Sequence, residues 1–248
     1  MAPPPRSGPA RHRGRGPSPG SSGRASSTLP KEVVGELRRS AKPGRADEAI
    51  AAVERAAKLL QREDPRGAGR EAERAKRAAP RSAAAREVLG LARYGEERWR
   101  EALTELQAYR RISGRLDHNH VIADCQRALG HPDKAVALVE EALRDRHLGV
   151  EVKAEGIVVA ASALADLGRF DEALAMLHRA KTDDEVGREP ALRVWYVTGD
   201  VLERAGRPAE ALAMFRKVAR HDALAFDVPE RIAVLEDSAR RRRKRRGG

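Results

Sequence analysis

Two neighbouring histidines are the residues of this sequence whose types most suggest metal chemistry. His118 and His120 lie two positions apart, and residues at that spacing on a helix point in different directions. Helical zinc motifs place their histidines about four residues apart, so this spacing does not predict a metal site. The sequence also contains no phosphate-binding loop and no Gly-x-Ser-x-Gly nucleophile motif. We therefore expect no metal, no cofactor and no enzyme activity.

The C-terminus holds the strongest local concentration of charge. Its consecutive basic residues are Arg240, Arg241, Arg242, Arg243, Lys244, Arg245 and Arg246. Such a run can bind RNA, DNA or an anionic lipid surface through phosphate groups, or it can be a solubilising end of the chain. No aromatic residue is interleaved with it, so base stacking has no platform there and any binding to nucleic acid would be nonspecific.

The net charge of +12 is concentrated at the two ends of the chain. Residues 1–30 contain five arginines, residues 240–248 contain seven basic residues, and neither segment contains an acid. Residues 31–239 contain 37 basic and 37 acidic residues. This distribution predicts a neutral folded body, residues 30–239, with any contact to nucleic acid confined to the basic ends. The Pro-, Gly-, Ser- and Arg-rich segment 1–29 is predicted to be disordered, and residues 240–248 to form a second disordered, basic tail.

The apolar residues indicate an all-helical core. Ala, Leu and Val recur at helical spacing, and no segment alternates apolar and polar residues as a strand does. The single cysteine, Cys125, excludes a disulfide within the chain and lies in a helical pattern, which favours a small buried hydrophobe over a reactive thiol. With no apolar run of about 18 residues and no signal peptide, the sequence favours a cytoplasmic protein.

Three segments of the sequence repeat at an interval of 38 residues. The repeated positions are Gly130, Gly168 and Gly206, followed by Ala135, Ala173 and Ala211. A fixed period of roughly 20 to 50 residues is typical of stacked repeats, which usually form binding surfaces. Alternating helices and short breaks are predicted from Ala46 to about residue 221, with a last helix beginning at Pro229.

The last of these segments resembles the tetratricopeptide repeat, a helix–turn–helix unit of about 34 residues. The matching residues are Trp195, Gly199, Leu202, Gly206, Ala211, Phe215 and Val218. The resemblance covers about residues 46–221 and implies an all-α solenoid of about five stacked antiparallel helix pairs. Small residues let paired helices approach closely, and we expect Gly199 to pack against Ala211 and Ala161 against Ala173.

In that family the first helix of each pair lines a concave groove that binds peptides. The same register in this sequence predicts a groove that includes Glu87, Tyr94, His120, Asp124, Arg127, Tyr196, Asp200 and Glu203. The full set of lining positions has six carboxylates and two arginines, an acidic bias that favours a basic peptide. An ordinary solvated face is the alternative interpretation.

The repeats favour a non-enzymatic scaffold that binds a peptide or a partner protein through the concave face. The alternative is a factor associated with RNA or DNA through its arginine-rich tails, whose repeats recruit a protein. Because the groove is acidic in bias, we also expect the C-terminal tail, or a partner's basic segment, to occupy it near Asp124, Asp200 and Glu203.

Overall fold

The computed structural model describes residues 28–180 and 189–246, and within these ranges every regular element is a helix. The helices are α1 (Lys31–Ser40), α2 (Ala46–Gln61), α3 (Pro65–Ala78), α4 (Ala83–Gly95), α5 (Trp99–Ser113), α6 (Asn119–Ala128), α7 (Pro132–Leu143), α8 (Val150–Asp166), α9 (Phe170–His178), α10 (Glu189–Arg204), α11 (Pro208–His221) and α12 (Val228–Arg246). Across the described residues, no helix is both long and apolar enough to cross a membrane. The segment 1–27 of the predicted N-terminal tail lies outside the described residues.

The chain divides into two compact units, with the boundary after Arg115. In the first unit α2 pairs with α3 and α4 with α5, while α1 packs against α2 and α4. In the second unit α6 pairs with α7, α8 with α9 and α10 with α11, and α12 packs on α11. The short breaks between paired helices make them antiparallel. These five pairs confirm the predicted all-α, solenoid-type fold.

Local sequence explains where several helices begin and end. Asp64 and Ser82 each accept a hydrogen bond from a backbone N–H in the first turn of α3 and α4, at 2.8 and 3.1 Å. These are N-caps, which satisfy donors that a helix start leaves unpaired. The periodic glycines Gly130, Gly168 and Gly206 have φ values of 81°, 74° and 74°. This left-handed backbone ends α6, α8 and α10 and favours glycine.

In two of the helix pairs, a glycine of the first helix packs against a larger residue of the second helix. A Cβ atom on Gly199 would lie 2.8 Å from the ring of Phe215, and one on Gly90 would lie 2.6 Å from Leu106. Gly199 was predicted to pack against Ala211, but its nearest neighbour is the Phe215 side chain, one turn further along α11. Helical side chains lean towards the N-terminus, and this lets the ring reach back to cover the glycine.

The Gly199–Phe215 pair should respond to mutation as a unit. We expect Gly199→Ala to destabilise the protein by about 1–2 kcal/mol, because overpacking outweighs the gain in helix propensity. Combining it with Phe215→Leu recreates the Ala161–Leu177 pair, which has the same 16-residue spacing one repeat earlier. The cost of Gly199→Ala should then largely disappear. Urea denaturation of the four proteins in this cycle measures the coupling, and strictly additive costs would contradict it.

Cys125 is fully buried in α6, as the sequence predicted. Burial raises the pKa of its thiol to about 12. A thiol with so high a pKa is not ionised near neutral pH, and the thiolate is the reactive form. Cys125 therefore acts as a small apolar residue of the core.

The arginine-rich segment 240–246 differs from the predicted disordered tail, because α12 continues through it to Arg246. Arginine has a high helix propensity. In addition, Arg240 pairs with Glu236 at 3.5 Å and Arg241 with Asp237 at 2.8 Å, both four residues apart on the same helix. Such pairs stabilise a helix modestly, so residue 239 does not mark a helix end.

Candidate functional site

The predicted groove residues are distributed over both units. Glu87 and Tyr94 lie on α4 of the first unit, where both are partly exposed and the Tyr94 ring packs edge-on against Trp99 at 5.4 Å. The other six lie on α6 and α10 of the second unit: His120, Asp124, Arg127, Tyr196, Asp200 and Glu203. Helix α8 packs against both α6 and α10. We call the side of α6, α8 and α10 that carries these residues the inner face.

Ion pairs connect the three helices of the inner face. Asp124 is only 7% exposed and accepts hydrogen bonds from Arg127, with Nη2 at 2.8 Å. The other terminal nitrogen of Arg127 donates to Asp166 of α8 at 3.1 Å. Arg204 of α10 donates to Asp166 at 3.0 Å and to the carbonyl of Ala165 at 2.7 Å. The result is an alternating row of acidic and basic groups from α6 to α10.

The row continues to the C-terminal helix through Arg231. Its guanidinium donates to Asp200 at 3.0 Å and to Glu203 at 2.8 Å, and its side chain is only 16% exposed. The guanidinium carbon also lies 4.8 Å from the centre of the Phe215 ring, in a cation–π contact. Burial alone would lower the pKa of Arg231, but the two carboxylates outweigh burial and raise it. Arg231 therefore stays charged in its site.

Tyr196 is covered by the segment that leads into α12. Its hydroxyl donates to Asp227 at 2.6 Å, and its ring lies 4.5 Å from that of Phe226 and 5.7 Å from that of Phe215. Burial, with the hydrogen bond to Asp227, raises the pKa of Tyr196. The α10 end of the inner face is thus partly occupied by the chain itself, and Tyr196 is only partly exposed there.

The acidic bias predicted for the groove is largely compensated by arginines. Asp124 is paired with Arg127, and Asp200 and Glu203 are paired with Arg231. The C-terminal tail or a partner's basic segment was predicted to occupy the groove near these acids, and in the structure the residue that reaches Asp200 and Glu203 is Arg231, at the start of α12. Further along, Arg240 and Arg241 pair on their own helix, and the side chains of Arg242, Arg243, Lys244, Arg245 and Arg246 lie outside the described part of the structure.

Three members of this row were missed from the sequence: Asp166, Arg204 and Arg231. The 38-residue period contains a signal for the first two, since Asp166 and Arg204 are one period apart. Glu155 and Arg193 are also one period apart, and their side chains lie 3.6 Å from each other. Equivalent positions of neighbouring first helices are adjacent, so an acid one period before an arginine predicts an ion pair between repeats.

His120 lies at the α6 end of the inner face. Burial, followed by the charge of His118, lowers the pKa of His120 to about 4, so its ring is neutral at pH 7. The His120 Nδ1 and Asn119 Oδ1 atoms are buried, with no hydrogen-bond partner in the described structure. The two histidine rings are 6.3 Å apart, and the described residues contain no group of three or more potential metal ligands. The site therefore offers ion pairs and hydrogen-bonding groups for recognition.

Comparison with known proteins identifies the repeat. Residues 120–225 match the sequence profile of the tetratricopeptide repeat family, whereas no curated protein sequence matches. The solved structure of TTC0263, a thermophilic tetratricopeptide repeat protein of Thermus thermophilus, is 19% identical, with a TM-score of 0.61 over 75% of this chain and 98% of that one.

Two further solved structures share the fold at low sequence identity. PilW, a type IV pilus biogenesis factor, is 17% identical, with a TM-score of 0.65 over 77% of this chain and 87% of that one. YrrB, described as having an unusual peptide-binding site, is 20% identical, with a TM-score of 0.52 over 74% and 92%. The profile match places tetratricopeptide repeat sequence in residues 120–225, and the solved structures share the helical-hairpin fold over about three quarters of the chain.

Proposed function

We propose that the chain is a non-enzymatic scaffold that binds a segment of a partner protein along the inner face of the second unit. The observation that carries this proposal is the docking of Arg231 between Asp200 and Glu203, against the ring of Phe215. Two carboxylates beside an aromatic ring are well suited to a planar guanidinium. The contact made by the chain's own arginine is therefore a template for a partner's basic side chain.

The electrostatics of the inner face favour binding over catalysis. His120 and Tyr196 are shifted towards their neutral forms, the histidine to a pKa of about 4 and the tyrosine upward. Neither residue has a pKa near neutral pH, where the pKa of a general acid or base usually lies. The carboxylates Asp124 and Asp166 are held by arginines. This arrangement supports a role in binding more than one in proton transfer.

Ser162 marks the middle of the proposed binding surface. It lies on α8 at the repeat position that Asp124 occupies on α6 and Asp200 occupies on α10. Ser162 is partly exposed, and no hydrogen bond or ion pair involves its side chain within the described residues. A large side chain at this position would obstruct the middle of the inner face.

We expect Ser162→Arg to weaken peptide binding at least about tenfold by blocking the surface and repelling a basic ligand. Peptides would be selected from a random phage-displayed library on the full chain, then synthesised and titrated by fluorescence anisotropy. The matched control is Ala213→Arg, which adds the same charge at an exposed position of α11. Equal affinity of the selected peptides for both variants and the wild type would exclude the inner face as their binding site.

Two further expectations stay predictions. The cytoplasmic location depends on the sequence alone. The docking of nucleic acid through the arginine-rich ends, with the repeats recruiting a protein, is the alternative function. Deleting residues 240–248 and measuring retention on heparin would test the contribution of the C-terminal end.

A further inference from the structure

Helix α3 has one face of small residues and an opposite face of arginines. The buried face contains Ala68, Ala72, Ala75 and Ala78. The exposed side chains are Arg66, Arg70, Arg74 and Arg77. Spacings of four, four and three residues place these arginines on one side of the helix, over a length of about 16 Å. We call them the α3 arginine face.

Two of the four arginines on this face have no acidic partner among the described residues. Arg66 and Arg70 form no hydrogen bond or ion pair within the described ranges 28–180 and 189–246. Arg74 contacts Glu71 at 3.2 Å, but Glu71 is shared with Arg55 at 2.8 Å. Two guanidinium groups with no acidic partner, and a third that shares one, are available to an anionic ligand.

The α3 arginine face borders an open cleft, in which ion pairs hold one of the lining arginines, Arg93, in place. Six arginines and three glutamates line the cleft: Arg66, Arg70, Arg74, Arg77, Arg93, Arg98, Glu71, Glu73 and Glu96. Arg93 is held by Glu73 at 3.1 Å and by Glu96 at 3.0 Å. A Cβ atom on Gly69 would lie 2.7 Å from Glu96 and 3.0 Å from Arg93, so the glycine lets this pair lie directly against α3.

The charge of the whole first unit reinforces the local surface. Residues 31–115 contain 21 basic and 14 acidic side chains, a net charge of +7, whereas residues 116–239 contain 16 basic and 23 acidic side chains, a net charge of −7. Residues 31–239 are neutral as a whole, and nucleic-acid binding was therefore predicted only for the ends of the chain. The two units have net charges of opposite sign, which cancel in that sum. The field of a basic unit attracts polyanions and speeds their association.

We propose that the α3 arginine face binds nucleic acid through its sugar–phosphate backbone. Arginine forks match phosphate oxygens in bidentate geometry. The core of a protein interface is usually more apolar than the surrounding surface, and a membrane-surface helix has an apolar face, but the apolar side of α3 is buried in the first unit's own core. A row of arginines suits a linear polymer of phosphates. Contacts to phosphates carry no sequence information, so this binding is independent of base sequence.

The test uses the full chain and a fluorescein-labelled 20-nucleotide oligo(U) RNA, followed by anisotropy at several salt concentrations. The variant Arg66→Gln/Arg70→Gln/Arg77→Gln removes three charges from the α3 arginine face. The control Arg38→Gln/Arg39→Gln/Arg111→Gln removes three charges from exposed positions elsewhere in the same unit. Both variants have the same net charge, so a difference between them reports the location of the charges.

We expect the α3 variant to lose at least about tenfold in affinity and the control less than about threefold. The slope of log affinity against log salt should fall by about 2 in the α3 variant, since each lost phosphate contact with a single strand removes about 0.7. Equal losses in both variants would overturn the proposal. Poly-L-glutamate that binds as tightly as RNA, with the same dependence on the α3 variant, would assign the face to an acidic protein instead.

Discussion

Replacing Ala173 or Ala211 by tryptophan should abolish the folded second unit. Both alanines are completely buried in α9 and α11, in the cores that these helices form with their neighbours. An indole ring cannot fit where a methyl group is fully enclosed without moving the paired helix. Overpacking by a few methylenes costs about 1–3 kcal/mol, and a tryptophan adds far more volume. We expect the loss of a cooperative thermal transition and a reduced helical signal in circular dichroism.

Exposed alanines on the same two helices provide the controls. Ala175 of α9 and Ala213 of α11 are exposed, and tryptophan at either position should change the free energy of unfolding by no more than about 0.5 kcal/mol. A melting curve for Ala173→Trp that matched the curve for Ala175→Trp would show that the assigned repeat register is wrong. The comparison separates burial from the general effect of adding an aromatic side chain.

The repeat positions could be predicted because the same physical constraint recurs in every helix pair. A left-handed residue follows each first helix, and in the second unit this residue is Gly130, Gly168 or Gly206, whereas Glu63 and Glu97 take the conformation in the first unit. A methyl group must fit at a buried position of each second helix, which fixes Ala135, Ala173 and Ala211. Constraints that are local to one helix pair leave a periodic signal in the sequence. Helices α6 to α11 could therefore be predicted to within a few residues.

The candidate sites were harder to predict because charge depends on which elements pack together. Asp200 and Glu203 were assigned to the groove, but their partner Arg231 comes from a helix that begins beyond the last recognised repeat. The α3 arginine face was missed for another reason. Arg66 and Arg70 lie in a segment, residues 31–239, whose net charge is zero because it includes the acidic second unit. The basic charge of the first unit is recognised only when the chain is divided after residue 115.

Reversing the charge of Arg231 should detach α12 from the inner face. Arg231→Glu would place a fourth carboxylate beside Asp200, Glu203 and Asp227 and would remove the cation above Phe215. Breaking a buried ion pair costs about 3–5 kcal/mol, and this partly buried site should lose about 2–4 kcal/mol. We expect faster amide hydrogen exchange in residues 228–241, and tighter binding of arginine-containing peptides to the carboxylates that become vacant.

The matched control for this experiment is Arg216→Glu. Arg216 of α11 also forms an ion pair with α12, to Glu236 at 2.7 Å, but its side chain is 55% exposed. Exposed ion pairs contribute about 0–1 kcal/mol, so this second reversal should leave the exchange of α12 nearly unchanged. If Arg231→Glu and Arg216→Glu speed amide exchange in α12 equally, the net charge of the second unit holds α12 in place. If only Arg231→Glu speeds amide exchange in α12, the contact of Arg231 with Asp200 and Glu203 holds the helix in place. An arginine of a partner would then have to compete with Arg231 for these two carboxylates.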